Sequence, residues 1–447
     1  MLSSNTKIQF INHASVKISY DEVSVLSDPW YSGDAFHKGW NLLVELSIEE
    51  VKKVLDNVTH IWISHEHPDH FSVSFFKYYE ELIKNLDIVI LFQETRDKRV
   101  QKFFKKNGFN FHELKFEQPF QISKNFKITC IEDGFYDSAL FIETKDKRIL
   151  NLNDCNVTSE ARASEIFKVT GKCDVLLTQF SYAAWKGGKK NIAWRELAAN
   201  EKLNSIALQV RKFQPKHVIP FASFIYFSNE YNKYLNDSIN LPMDVLNKLK
   251  DTNVQVNILK PFDYLDENNS SQRNKKSINY WENVFSNISS NKYNKYNIVE
   301  IEELQQLFKK YQKRIFINNN KYFIKLARLL SPIKVFQPII IKLKDTDKTI
   351  VLDLFLNNLK PTSLSPDLIM SSESLKFILN FPFGFDTLSV NGCFEEENRG
   401  GFIKATKSLA LESLNNIGIF FRPSIFLNLI VIFVFLRKLK EIRSKLN

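Results

Sequence analysis

The feature that most constrains this chain is six residues long. His65-Glu66-His67-Pro68-Asp69-His70 follows the apolar run His60–Ser64 (HIWIS) directly. A short β-branched and aromatic run bounded by polar residues reads as a buried strand. Three of the eight histidines and an Asp therefore crowd one strand end. Neutral imidazoles and a carboxylate together suit zinc, iron or manganese. Four donors within six residues cannot all face one ion. The spacing suits two adjacent ions, with His65 and His67 on one and Asp69 and His70 on the other. Such a pair lowers the pKa of a bridging water and clamps charge developing on an oxygen.

Around that loop the first 265 residues alternate short apolar strands with helical segments. Strands are expected at 7–10, 16–19, 23–27, 60–64, 87–92, 126–131, 139–144, 148–153, 174–180 and 217–222. Helices are expected at 73–84, 94–106, 158–169 and 195–213, and Ser47-Ile48-Glu49-Glu50 opens another with a capping box. Consecutive strands first and strand–helix alternation later indicate an α/β sandwich of mixed sheets covered by helices. Residues 266–300 are Asn/Ser-rich and read as a connector with one short helix. Residues 300–331 read as helical. From 333 the pattern returns to strands (VFQPIIIKLK, TIVLDLFL), a helix (SSESLKFILN) and a strand near TLSVNGCF. The expected organisation is a first domain over 1–265, a polar connector with helices over 266–331, a small α+β domain over 332–415, and a tail over 416–447.

The tail is apolar on every face from Pro423 to Leu436 and basic after it. An all-round apolar helix lies in a core or in lipid. The run falls short of the roughly 20 residues that span a bilayer. Packing in the second domain or an oligomer interface, peripheral membrane contact through 417–445, and a true span all stay open. The four cysteines (Cys130, Cys155, Cys173, Cys393) form no Cys-x-x-Cys pair, and the N-terminus has no secretory pattern. A reduced, cytoplasmic setting fits. The net charge of +11 brings no recognisable nucleic-acid module with it, so a lysine-rich solvated surface is expected rather than a nucleic-acid partner.

The histidine loop resembles that of the metallo-β-lactamase superfamily, which implies an αββα sandwich followed here by a smaller α+β domain. Asn12-His13-Ala14-Ser15-Val16 and Leu26-Ser27-Asp28-Pro29-Trp30 are similar to the branch holding ascorbate-lactonase-like and N-acyl-phosphatidylethanolamine-phospholipase-like enzymes. That likeness implies His13 and Asp28 near the metal site. Asp28 through Leu43 (DPWYSGDAFHKGWNLL), Ile149-Leu150-Asn151-Leu152-Asn153-Asp154-Cys155 and Ile219-Pro220-Phe221-Ala222 resemble the CMP-N-acetylneuraminate hydroxylase family. Asp154 then matches the carboxylate that bridges the two metals in the superfamily.

The chain departs from that pattern at two places. A histidine is expected after strand 126–131, where the sequence is Glu132-Asp133-Gly134-Phe135-Tyr136-Asp137; Asp133, Tyr136 or Asp137 stands in as a candidate ligand. Another is expected after Ala222, where Asn229 holds the matching position as a weak oxygen donor. His60, His112 and His217 read as packing or surface residues. Fewer imidazoles and more oxygen donors shift preference from zinc toward iron or manganese. The Rieske module of that family needs Cys-x-His arms, which this sequence lacks. Two functions follow. One is a metal-dependent hydrolase with one or two ions on His65, His67, Asp69, His70, Asp154, Asn229 and Asp137, with Asp69 and His13 handling protons at a small-molecule substrate. The other is a Rieske-less component of a system that modifies an acidic or nucleotide-linked sugar, its electrons coming from a redox partner protein. A binding protein with a degenerate site is a third. A lysine-flanked glycine pair in Ser181–Lys190 is a weak phosphate-binding motif beside the reading as a surface loop.

Overall fold

The structure is a computed structural model that describes residues 5–134, 136–267 and 270–427. Contacts divide the chain into a first unit of Met1–Lys186, Asn191–Ser228 and Lys233–Tyr293 and a second of Gly187–Lys190, Asn229–Asn232 and Asn294–Asn447.

In the first unit β1 (Lys7–Asn12), β2 (Ser15–Tyr20) and β3 (Val23–Ser27) form an antiparallel meander. β4 (Asp34–Ala35) and β5 (Trp40–Leu42) leave it and join β15 (Ile225–Phe227) in a small sheet. β6 (His60–Ile63), β7 (Val89–Gln93) and β8 (Phe111–Leu114) then extend the first sheet in parallel. The second sheet repeats this plan. β9 (Pro119–Ser123), β10 (Phe126–Asp133), β11 (Asp137–Thr144) and β12 (Arg148–Asn153) are antiparallel neighbours, and β13 (Val175–Gln179), β14 (His217–Phe221) and β16 (Gln255–Val256) add in parallel.

Strand side chains alternate between faces, and that alternation sorts the layers. Ile61, Ile63, Ile90 and Phe92 pack with α1 (Ile48–Leu55), α2 (Val73–Tyr78), α3 (Glu80–Asn85) and α4 (Arg99–Lys106) through Val54, Phe76, Ile83 and Phe104. Trp62 and Leu91 face the other way and join Ile128, Leu140, Leu150 and Leu177 of the second sheet. The same core takes in Ile166 of α5 (Glu160–Thr170), Phe213 of α6 (Ile192–Phe213) and Val245 of α7 (Pro242–Leu249). The result is an αββα sandwich. The capping box at Ser47 and Glu50 is present. The expected helix 73–84 is interrupted at Tyr79 (φ −99°, ψ 16°).

The polar stretch after residue 265 contains a 17-residue helix, α8 (Ser270–Ser286), which belongs to the first unit. Its anchor is Trp281, 1% exposed, which stacks on Phe224 at 4.1 Å and donates its indole N–H to Leu259 O at 2.9 Å. Trp281 and Phe285 at i, i+4 on α8, continued by Ile288 in the 3-10 turn that follows, make an apolar stripe. Asn274 is buried and bonds the backbone of Ile258 and Val256. Asn-rich composition hid this stripe from the sequence reading.

The second unit holds α9 (Ile301–Asn318), α10 (Lys321–Leu330) and a sheet ordered β19-β18-β17-β20-β21 from β17 (Ile339–Leu343), β18 (Lys348–Leu352), β19 (Lys360–Pro361), β20 (Leu368–Met370) and β21 (Phe394–Glu396). α11 (Ser372–Asn380), α12 (Gly384–Asn391) and α13 (Gly401–Asn416) complete a small α+β body. The strand expected near TLSVNGCF (387–394) is displaced: α12 runs through Asn391 and β21 begins at Phe394. Phe385, Leu388 and Asn391 are buried at helical spacing, and Gly392 ends the helix in the left-handed conformation (φ 69°). No helix among the described residues is long and apolar enough to cross a membrane. Residues 428–447 of the apolar and basic tail lie outside the described residues.

Candidate metal centre

Five separate strand ends or turns supply this centre. Asp28 follows β3, the loop His65–His70 follows β6, and Asn153 and Asp154 close β12. His13 lies in the β1–β2 turn and Asp137 opens β11. His13, Asp28, Asn153 and Ala222 all have positive φ, at 38°, 38°, 48° and 53°. Non-glycine residues held there carry backbone strain on the order of 1 kcal/mol each. The surrounding bonds hold them: His13 O accepts Ala222 N–H at 2.7 Å. His67 O accepts both His70 N–H and Phe71 N–H, which curls the histidine loop into a turn before Ser72 caps α2.

Three groups of donors lie within 4.8 Å of one another and overlap: His13, Asp69 and His70; His65, His70 and Asp154; His65, His67 and Asp137. His70 Nε2 faces Asp69 Oδ2 at 3.2 Å and Asp154 Oδ2 at 3.3 Å. His65 Nε2 lies 2.9 Å from His67 Nδ1 and 3.7 Å from Asp137 Oδ1. His13 Nε2 stands 3.4 Å from Asp69 Oδ2. Asp154 shares a group with both His65 and His70, the place a bridging carboxylate would occupy.

Burial pushes His65 and His67 down to about 4, and a nearby imidazole lowers each further (His70 for His65, His65 for His67), so both are neutral and present lone pairs. Burial also raises Asp137 to about 6. Burial opposes a proton on His70, but Asp69, Asp154 and Asp28 outweigh it and hold its pKa well above the usual value. Without an ion, a proton on His70 thus balances the carboxylates. His13 Nδ1 and Asp69 Oδ1 are buried without a hydrogen-bond partner. Buried polar atoms are ordinarily satisfied. Those unmet groups, beside imidazoles and carboxylates grouped within 4.8 Å, fit a divalent cation.

A second ring of groups orients the donors. Asp28 is 1% exposed. It accepts Ser64 N–H at 2.7 Å, Ser64 Oγ at 2.8 Å, His70 Nδ1 at 3.1 Å, and the Asn153 amide. Holding Nδ1 this way leaves His70 Nε2 for the centre. Gln93 donates to Ser64 O and to Tyr136 O, and Ser138 Oγ donates to Ser64 O at 2.7 Å. Lys202 of α6 donates to Gln179 Oε1, and Gln179 Nε2 donates to Asp154 Oδ1 at 3.0 Å. Sequence reading missed Ser64, Gln93, Gln179 and Lys202, since no local motif marks them. Trp30 lies edge-on to His13, and Phe36, inside a left-handed run through Lys38, packs against His67.

The expected donors fall out unevenly. His13, His65, His67, Asp69, His70, Asp137 and Asp154 come together. Of the two carboxylate candidates for the first missing imidazole, Asp137 is the one in the cluster. Asp133 instead pairs with Arg162 and accepts Asn156 N–H, and Tyr136 offers its carbonyl to Gln93. Asn229 belongs to the second unit, where its Oδ1 accepts Tyr231 N–H at 3.1 Å in a turn of its own segment. Lys189 of the glycine-pair loop is likewise in the second unit and pairs with Glu395. His60 bonds Thr59, His112 stacks on Phe120, and His217 contacts Asn257.

No family model matches the chain. Over about half of its length it is similar to cytidine monophosphate-N-acetylneuraminic acid hydroxylases. The protein of Danio rerio is 27% identical over 248 residues, 52% of this chain and 40% of that one. That of Cricetulus griseus is 27% identical over 262 residues, 55% and 45% of the two chains. With the two facing sheets and the histidine loop at the end of β6, the relation is clear. The first unit is a metallo-β-lactamase-fold domain. It is related to those hydroxylases, and the chain spans less than half the length of the relatives it matches. Among solved structures, Igni18, a metallo hydrolase from Ignicoccus hospitalis, is 15% identical with a TM-score of 0.40 over 58% of this chain and 97% of that one. CmlA, a diiron β-hydroxylase from Streptomyces venezuelae, is 11% identical with a TM-score of 0.43 over 59% and 54%.

Proposed function

We propose that this protein is a metal-dependent hydrolase acting on a small molecule, with the cluster on His65–His70 as its centre. The observation that carries the reading is the overlap of the donor groups: His70 joins two of them and His65 joins two, which suits adjacent ions rather than one. His65, His67 and Asp137 would hold the first ion. Asp69 and His70, with His13 beside them, would hold the second, and Asp154 would bridge. Asn229, whose amide oxygen accepts Tyr231 N–H, is given no role in this reading. Three carboxylates against three ligating imidazoles favour iron or manganese over zinc. When bound, such ions supply Lewis acidity and an activated water.

The chain's own residues do the rest. Asp69 Oδ1, buried and without a partner, can accept a proton from the attacking water. His13 stands behind Asp69 and can hold that proton in turn. Asp28 and Gln179 fix His70 and Asp154, so neither must reorganise as charge develops. Trp30 and Phe36 wall the histidines and limit water. In purified protein, elemental analysis should find iron, manganese or zinc in stoichiometric amount, lost in His65→Ala/His67→Ala. A panel of ester, lactone, amide and phosphodiester substrates should then show turnover that depends on that metal. Protein from metal-supplemented medium that carries none would sink the proposal.

A second reading rests on the 27% likeness to the hydroxylases. In it the chain binds an acidic or nucleotide-linked sugar and receives electrons from a separate redox protein. Oxygen consumption dependent on CMP-N-acetylneuraminic acid and an added electron donor, with no hydrolysis in the panel, would favour it over the first.

A further inference from the structure

We propose that the exposed face of α10 in the second unit is a docking surface for an anionic lipid bilayer. Tyr322, Leu326, Leu329 and Leu330 recur at i, i+4, i+7 and i+8 of α10, which places them on one side, and Ile333 follows in the turn after the helix. They are 79%, 48%, 80%, 68% and 60% exposed. The opposite side is fixed to the body of the unit. Ile324 is fully buried, Arg328 pairs with Asp353 at 2.9 Å, and Lys325 lies over the Phe355 ring. The helix is therefore held with its leucines outward. Beyond Ile333 the apolar surface continues into a groove of about 1000 Å³ that includes Leu364 and Ile403, with Lys334 and Lys407 on its lining. A contiguous apolar surface rimmed by charge marks an interaction site.

Charge and chain position select the occupant. Residues 421 and 422 are tied to the start of α10. Asn320 N–H donates to Phe421 O, Phe421 N–H donates to Asn319 Oδ1, and Arg422 donates to Ile317 O and Asn318 O. From there the sequence runs into Asn428–Leu436, apolar apart from Asn428. It then carries Arg437, Lys438, Lys440, Arg443 and Lys445 against one acid, Glu441. That basic segment does not complement the charge of Lys334 and Lys407. A second copy of the chain on the same face would bring like charges together too. A bilayer with anionic headgroups accepts both features: apolar side chains enter the interfacial zone while lysines meet the headgroups. One such signal gives marginal binding, and an apolar face joined to cations gives stable attachment.

The full chain should co-sediment with vesicles of phosphatidylcholine mixed with phosphatidylserine, and poorly with phosphatidylcholine alone. Leu329→Glu/Leu330→Glu should weaken that binding by on the order of tenfold or more. Lys334→Glu/Lys407→Glu should remove the preference for the anionic vesicles. Circular dichroism should show both folded, and Leu326→Ser/Leu329→Ser provides a milder variant if the double glutamate does not fold. The proposal is overturned by absence of binding to either vesicle, or by unchanged binding of the α10 variants. A concentration-dependent dimer abolished by Leu329→Glu/Leu330→Glu would also overturn it, making a second copy the occupant.

Discussion

Asp28 is the group whose removal separates orientation from ligation, since it touches no open donor position yet holds His70. In Asp28→Ala four donors lose their acceptor: Ser64 N–H, Ser64 Oγ, His70 Nδ1 and the Asn153 amide. An unmade buried hydrogen bond costs about 1–3 kcal/mol, but these share one carboxylate and do not add. Loss of one partner from a buried charged network costs about 3–5 kcal/mol, and that is the expected destabilisation. Asp28→Asn keeps the shape. Its amide nitrogen does least harm facing Ser64 N–H, where a single bond is lost, for about 1–3 kcal/mol. The remaining oxygen still accepts from His70, now without its charge. Groups in this position typically tune metal affinity by about 10–100-fold. Thermal melts of metal-free protein measure the first effect, and chelator competition measures the second. The expected result for Asp28→Asn is a folded protein that binds its ion about 10–100-fold more weakly. An unchanged dissociation constant in that variant would refute the argument that Asp28 orients His70 for the centre.

Four further outcomes are expected. Lys202→Met frees Gln179 to turn its amide away from Asp154, so metal affinity should fall about tenfold, with Lys202→Arg recovering part of it; equal affinity in all three proteins would remove Lys202 from the centre. Asp137→His replaces a carboxylate with an imidazole, and protein grown with iron and zinc together should show a higher zinc share by elemental analysis. Trp281→Ala deletes a buried stacked indole and its hydrogen bond, for a loss of about 3–5 kcal/mol in denaturant unfolding of the first unit. Gly401→Ala places a Cβ 2.3 Å from Asp367 O and should destabilise the second unit by about 1–3 kcal/mol, read as an earlier melting transition.

What the sequence alone determined is what contiguous residues can encode. A six-residue loop at a strand end fixes its donors by covalent distance, so the histidine cluster was legible, and with it the family resemblance. Strand periodicity and the Ser47–Glu50 capping box were legible for the same reason. Tertiary structure decided which distant residue completes the cluster. Asp133, Tyr136 and Asp137 were equivalent in sequence, and only the β10–β11 turn shows Asp133 spent on Arg162 and Asp137 beside His65. Packing likewise turned an Asn-rich connector into α8, because a stripe of three apolar residues outweighs the polar positions around it once Phe224 is there to receive Trp281. It also left α10 with its leucines outward, since Ile324, Lys325 and Arg328 found partners on the other side. Burial and ligation belong to pairs of surfaces, and a linear pattern specifies only one member of each pair.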